Sequence, residues 1–181
     1  MFDKALIVVD MQYDFVNPNG SLYVLNAENL IEPINNLIHQ FVNENQLIIY
    51  TQDWHKKDSK IFNQWPEHCI QNTKGAEIVV DIPKPADSVF IKKGMYDFEN
   101  YGAFEGEPCL DKILKLRGIK ELHIVGVAGD YCVYWTALQG LINGYKVFLH
   151  IDKIKSINDN EARKLYKKLK DKFDKQFEII F

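Results

Sequence analysis

Three stretches of this 181-residue chain are predominantly apolar and rich in β-branched side chains: residues 5–9, 47–51 and 122–127. A strand with one wet face alternates apolar and polar residues. A near-continuous apolar run is what a strand needs when both of its faces are covered. Between these runs, Leu30, Ile34, Leu37, Ile38 and Phe41 recur at helical spacing, with Pro33 suited to the first turn, where a missing N–H costs little. Leu110, Ile113 and Leu114 form a second stripe, which Pro108 is expected to open and Gly118 to close. A third helix is expected over 134–143, ended by Gly144, and a fourth after Asn158-Asp159-Asn160-Glu161, which has the form of a capping box. Further strands are expected at 89–91, 146–151 and 177–181. Strands alternating with helices predict an α/β three-layer sandwich, with a six-stranded, mostly parallel sheet and helices on both faces.

Bulk properties narrow the function. A length of 181 residues suits one domain, 1–181, with a sizeable core, and 46% hydrophobic with 26% charged residues is ordinary for a soluble protein. Net charge is −3 and the basic residues are scattered, so no nucleic-acid partner is expected. Lysines in 164–175 alternate with Leu, Tyr and Phe at helical spacing and read as a solvated helix face. The first apolar run is too short for a signal peptide and ends in Asp10, and no stretch is long enough to span a membrane. Three cysteines without a repeating spacing argue against a disulfide framework and for a reducing, cytoplasmic setting. The irregular stretch 56–86 contains Phe62, Trp65 and His68, and loops that long inside a compact domain are usually functional or disordered. Its aromatic content predicts that it is ordered and functional.

Ligands of parallel α/β sheets bind beyond the carboxyl ends of the strands, near a reversal in strand order. Asp10, Asp53, His55, Lys93 and Cys132 all fall at carboxyl ends of predicted strands. Each has a bland explanation alone: a loop cap, a satisfied loop histidine, one lysine of the Lys92-Lys93 pair facing solvent, a buried cysteine at a tight turn. Four strands delivering reactive side chains to one edge favour a shared site. Cys132 lies where a strand hands over to a helix, and unpaired N–H groups there lower a thiol pKa and can hold an oxyanion. Asp10 can take the thiol proton, and Lys93 beside them favours the thiolate and keeps Asp10 ionised. In an extended segment Asp53 and His55 point to the same side and can grip one cation, with His68 as a third ligand. Such donors suit zinc, and also iron or manganese. His39, His123 and His150 read as structural, and Cys69 and Cys109 as packing residues. Aromatics crowd the same loops (Tyr13, Phe15, Trp54, Phe62, Trp65, Tyr96, Tyr101, Tyr131), and a few at the sheet edge would suit a flat ring.

With these motifs in place, the chain resembles the nicotinamidases (pyrazinamidases) of the isochorismatase-like cysteine hydrolase superfamily over nearly its whole length. Asp10-Met11-Gln12-Tyr13-Asp14-Phe15 matches the first motif of that family. Thr51-Gln52-Asp53-Trp54-His55 and Trp65-Pro66-Glu67-His68-Cys69 match its metal loops. Lys93-Gly94 with Tyr101-Gly102-Ala103-Phe104-Glu105-Gly106 matches the lysine region, and Gly126-Val127-Ala128-Gly129-Asp130-Tyr131-Cys132-Val133 the nucleophile motif. The resemblance implies a triad of Asp10, Lys93 and Cys132, and a cis peptide between Val127 and Ala128 that turns the Ala128 and Cys132 amides into an oxyanion hole. It implies a divalent cation, zinc before iron or manganese, on Asp53, His55 and His68, and a small pyridine carboxamide such as nicotinamide as substrate. Phe15 and Trp65 would flank its ring, with Tyr101 and Tyr131 nearby, and the product would feed NAD salvage. A homo-oligomer is compatible with the family.

Two positions depart from the family pattern. Ser59 stands where many members carry a further metal histidine, so three protein ligands are expected, with waters completing the shell. Gly129 stands where a threonine is frequent. Rival readings are another amide hydrolase of the superfamily, such as an isochorismatase or a carbamoyl-amide hydrolase, a non-catalytic binding protein on the same fold, and a thiol redox protein. Asp53, His55 and His68 argue against the first, an intact Asp10, Lys93 and Cys132 against the second, and the lack of a resolving cysteine near Cys132 against the third.

Overall fold

The computed structural model of the chain describes residues 3–83, 88–96 and 101–181. Six parallel strands form one sheet: β1 (Lys4–Val9), β2 (Leu47–Asp53), β3 (Ser88–Lys93), β4 (Glu121–Gly126), β5 (Lys146–Ile154) and β6 (Phe177–Ile180). Their order is β3-β2-β1-β4-β5-β6. The chain starts in the middle of the sheet, steps outward to β3, and returns to the other side of β1. The strand order therefore reverses between β1 and β4, and a crevice opens beyond their carboxyl ends.

The apolar run of β1 is buried on both faces, as its composition demands. Ala5, Ile7 and Val9 face one core, against α3 (Leu110–Leu116), α4 (Cys132–Ile142) and α5 (Asp159–Lys172). Leu6 and Val8 face the other, against α1 (Tyr13–Val16) and α2 (Ile31–Asn43). Each such buried aliphatic side chain contributes about 1.5–3 kcal/mol. The three-layer sandwich expected from the alternation of elements is thus present, and its sheet is parallel throughout.

Local signals held with two corrections. Asn158 caps α5, its side chain accepting from the amides of Asn160 and Glu161, and Gly118 follows α3 with φ 72°. Pro108, however, does not open α3. Glu107 exchanges backbone hydrogen bonds with Lys92, so the chain is still extended there and needs Pro108 and Cys109 to turn before the helix begins at Leu110. The helix expected over 134–143 starts at Cys132 itself, because the turn before it already directs the Val133 amide to the Ala128 carbonyl. The stretch 56–83 is built around short 3-10 turns at Lys60–Asn63 and Lys74–Ala76, and the remainder of the expected 56–86 loop lies outside the described residues. Among the described residues, no helix is long and apolar enough to cross a membrane.

Gly126 ends β4 opposite Val9, at the floor of the crevice, with φ 110°. A Cβ there would overlap the Val9 carbonyl. Gly126→Ala is therefore expected to lower the unfolding free energy by at least about 1–3 kcal/mol in urea melts. An unchanged midpoint would show that β1 and β4 can part without cost.

Candidate active site

Strand register does the first part of the assembly. Asp53 of β2 pairs with Lys93 of β3, so their side chains lie side by side on one face of the sheet. Lys93 is 1% exposed, which rules out a solvent-facing role; its neighbour Lys92 instead lies over the Trp54 ring at 3.6 Å. The Lys93 ammonium lies 2.7 Å from Asp10 Oδ2, pairs with Asp53 Oδ1, and donates to Cys132 Sγ at 3.4 Å. Asp10 follows β1 and Cys132 opens α4, so the three expected members of the triad meet at the reversal of strand order.

Asp10 is held in a left-handed conformation, φ 48°. The Thr51 hydroxyl accepts from the Asp10 amide at 3.1 Å and donates to Asp10 Oδ1 at 2.5 Å, fixing backbone and carboxylate together. Thr51 had no role assigned from sequence. Its spacing of two from Asp53 on one strand, which puts both on the same face, is the signal that points to it.

The electrostatics differ from expectation at the thiol. Burial pushes the Cys132 thiol well above its ordinary range, the Asp10 charge adds to that, and Lys93 only opposes it. The helix N-terminus and lysine therefore do not make a resting thiolate. Burial also raises Asp10, against the pull of Lys93. Burial works against the charge on Lys93, but Asp10 and Asp53 outweigh it and hold the ammonium charged well above its usual range. At rest the site holds a neutral thiol beside a carboxylate that can accept its proton.

The Val127–Ala128 peptide is cis, as the resemblance implies. Among the described residues, no acceptor is bonded to the Ala128 or Cys132 amide. Both remain available to a ligand oxygen.

Asp53, His55 and His68 are buried together. His55 Nδ1 bonds the Gly94 carbonyl at 3.2 Å and His68 Nδ1 the Pro66 carbonyl at 2.7 Å. A carbonyl only accepts, so Nδ1 of each ring carries a proton, and in the neutral ring the Nε2 lone pair is left to face a cation. The two Nε2 atoms lie 3.6 and 3.7 Å from Asp53 Oδ2. Tetrahedral ligands about 2.1 Å from a zinc ion stand roughly 3.4 Å apart, so this donor set fits a divalent cation. Burial opposes ionisation of Asp53, but Lys93 and then the two imidazoles hold its carboxyl well below the usual range. His68 reaches the site because residues 69–71 run beside His55: the His55 amide bonds the Cys69 carbonyl and the Gln71 amide the His55 carbonyl. Ser59 is buried, its amide bonded to the Lys56 carbonyl.

Cys132, Ala128 and the metal-type donors line one largely apolar pocket with Phe15, Trp65, Tyr101 and Tyr131. The Trp65 indole donates to the Tyr101 hydroxyl at 3.2 Å, and the Trp65 and Tyr101 rings both pack on Tyr131, at 5.2 and 5.4 Å between centroids. Leu22, Val24, Ile61 and Ile157 complete the wall and carried no signal in the sequence, since isolated aliphatics in loops have no periodicity to reveal them. His123 and His150 bond each other at 2.9 Å across β4 and β5, and His39 pairs with Asp81, so all three lie outside the site. Cys69 is buried in the core, as expected of a packing residue.

A family model described as isochorismatase domain matches residues 4–178. The chain is 34% identical, over 194 aligned positions, to a nicotinamidase of Saccharomyces cerevisiae, covering 87% of this chain and 90% of that protein. Among solved structures, the pyrazinamidase of Pyrococcus horikoshii in complex with zinc has a TM-score of 0.90 at 40% identity, covering 98% of both chains. PnC1 of L. infantum in complex with nicotinate has a TM-score of 0.81 at 31% identity, covering 93% of this chain and 89% of that one.

The Asp53, His55 and His68 set is expected to hold about one divalent ion per chain by elemental analysis of the purified protein, and His68→Ala to lose most of it. Equal metal content in the two proteins would remove these residues as the ligands.

Proposed function

Because this chain belongs to the isochorismatase family, we propose that it hydrolyses the carboxamide of nicotinamide to nicotinate and ammonia, feeding the salvage route to NAD. One observation carries the proposal: the Cys132 sulfur, backed by the buried Lys93 ammonium and its Asp10 partner, opens on the same aromatic-walled pocket as a three-donor metal-type cluster. A flat ring suits the walls, with Phe15 and Trp65 on its faces and Tyr101 and Tyr131 beside it. The carboxamide carbon then faces Cys132.

The buried thiol is neutral at rest, so attack needs a base, and Asp10 is the carboxylate in place. Asp10 takes the thiol proton as Sγ bonds to the carboxamide carbon. The oxygen that gains charge is held by the Ala128 and Cys132 amides. Asp10 returns the proton to the nitrogen, the C–N bond breaks, and ammonia leaves a nicotinoyl thioester on Cys132. A water then gives a proton to Asp10 and its oxygen to the acyl carbon. The C–S bond breaks, and the proton returns to sulfur. Lys93 stays charged throughout and steadies whichever of Asp10 and Cys132 bears the negative charge.

Zinc is the proposed occupant of Asp53, His55 and His68, with waters completing its shell. When bound, it supplies a Lewis-acid site for the ring nitrogen or for a water. Asp53 and the two imidazoles orient that site through the Gly94 and Pro66 carbonyls, which fix the ring tautomers.

Cys132→Ala is expected to cut ammonia release from nicotinamide by at least about 10³-fold while metal content is retained. Turnover near wild type would remove Cys132 as the nucleophile. Asp10 works as a base only when ionised, so kcat/KM is expected to fall as pH drops through a value above the ordinary 3.8. Thr51→Val deletes a donor to the ionised form and is expected to move that acid limb up by roughly one pH unit, the equivalent of one charge-assisted hydrogen bond. A limb that stays in place or moves down would exclude Asp10 as the base.

A further inference from the structure

The nucleophile turn is braced by residues outside its own segment, from 155–158 and from α5. Its middle residue, Gly129, is held at both backbone polar atoms, the N–H of peptide 128–129 and the carbonyl of peptide 129–130. The Gly129 amide donates to the Lys155 carbonyl at 2.8 Å, and the Gly129 carbonyl accepts from the Tyr166 hydroxyl at 2.8 Å. Tyr166 lies on α5, 37 residues further along the chain, and is 3% exposed. Next to Gly129, the Asp130 carboxylate accepts from the Ile157 and Asn158 amides at 3.0 and 2.8 Å.

Space at this position is as constrained as polarity. A Cβ on Gly129 would overlap the Ser156 hydroxyl and stand 2.8 Å from the Tyr166 oxygen. The hydroxyls of Ser156 and Tyr166 occupy the volume that any side chain at 129 would need. The turn therefore cannot steady itself with a side chain of its own there, and the Tyr166 hydroxyl does so from another element.

The Ala128 and Cys132 amides lie on either side of these two peptides. The Ala128 carbonyl already receives the Tyr131 and Val133 amides at 3.0 and 3.1 Å, which ties the start of α4 back to the turn. Rotation of the 129–130 peptide would tilt both flanking amides and swing Asp130 off its two partners. A buried carbonyl that loses its donor is under pressure to rotate toward another one.

The geometry points to Tyr166 as a positioning residue for the amidase reaction, its hydroxyl holding the Gly129 carbonyl so that the Ala128 and Cys132 amides converge on one oxygen. It touches neither substrate nor reacting atoms. Its contribution is made in the transition state, when the carboxamide oxygen becomes charged, rather than in ground-state binding. The inference rests on the amidase function proposed above, and on Ala128 and Cys132 supplying the oxyanion contacts.

The test is Tyr166→Phe, which removes one oxygen and keeps the ring that packs in the core. With nicotinamide, kcat is expected to fall at least tenfold, a fraction of what loss of a whole oxyanion donor costs, while KM stays within about twofold. Nicotinaldehyde provides the second readout. The Cys132 sulfur bonds to its carbonyl carbon as the thiol proton passes to the oxygen, giving a tetrahedral adduct whose oxygen sits between the two amides. Its inhibition constant is expected to rise by a factor similar to the loss in kcat, while that of nicotinate, which forms no adduct, is unchanged. Leu169→Val, on the same buried face of α5, is the control for general loosening of the helix: it is expected to lower thermal stability without changing kcat or the aldehyde constant. Equal kcat and equal nicotinaldehyde inhibition in Tyr166→Phe and wild type would overturn the assignment, as would a matching fall in kcat for Leu169→Val. A wild-type protein that releases no ammonia from nicotinamide would overturn the amidase function itself, and this inference with it.

Discussion

A buried ammonium between two carboxylates governs the architecture of the site. Lys93 has almost no contact with water, and removing a charge from water costs several kcal/mol unless it is paired with good geometry. Asp53 from the adjacent β2 and Asp10 from the end of β1 supply that pairing, with Cys132 sulfur as a third contact. Two carboxylates against one ammonium leave the cluster with excess negative charge when both are ionised. Burial first, and that excess second, keep the proton on the thiol and raise Asp10, while Lys93 and then the imidazoles lower Asp53. The protonation pattern needed for a thiol-and-base pair follows from burial together with charge balance.

The same lysine couples the two halves of the site. Asp53 presents one oxygen to Lys93 and the other to His55 and His68. The metal-type donors and the sulfur are thus joined through one carboxylate and one ammonium. Gln12 holds the end of β2 in place for this: its amide group donates to the Asp53 and Ala76 carbonyls and accepts from the Asp53 amide. Asp14 accepts from the Cys69 amide at 2.7 Å and so anchors the segment that carries His68. Both come from the short motif after β1, where Asp10 provides the chemistry and its neighbours provide the framework.

Much of this was legible in the chain before folding, and some was not. The three apolar runs announced buried parallel strands, and Asn158 and Gly118 marked helix ends, because these signals depend on composition within a few residues. Pro108 misled for the same reason: its local preference for a first helical turn was overridden by the pairing of Glu107 with Lys92, a partner 15 residues away. Thr51 and Tyr166 were silent because a threonine in a strand and a tyrosine in an amphipathic helix are ordinary, and only their partners make them otherwise. The lowered thiol pKa expected of a helix N-terminus failed because burial and Asp10 outweigh it, and burial is a property of the whole fold.

By itself the sequence determined the alternation of strands and helices, the double-sided burial of the central strands, and the placing of Asp10, Asp53, His55, Lys93 and Cys132 at strand ends. These depend on periodicity and on side-chain type, which act over short distances. Tertiary structure alone decided the order β3-β2-β1-β4-β5-β6, the register that sets Asp53 beside Lys93, the pairing of residues 69–71 along His55, and the contact from α5 to Gly129. Such choices are made by hydrogen bonds and packing between segments tens of residues apart. The protonation of the site follows them, since the field at each group depends on neighbours that only the fold brings near.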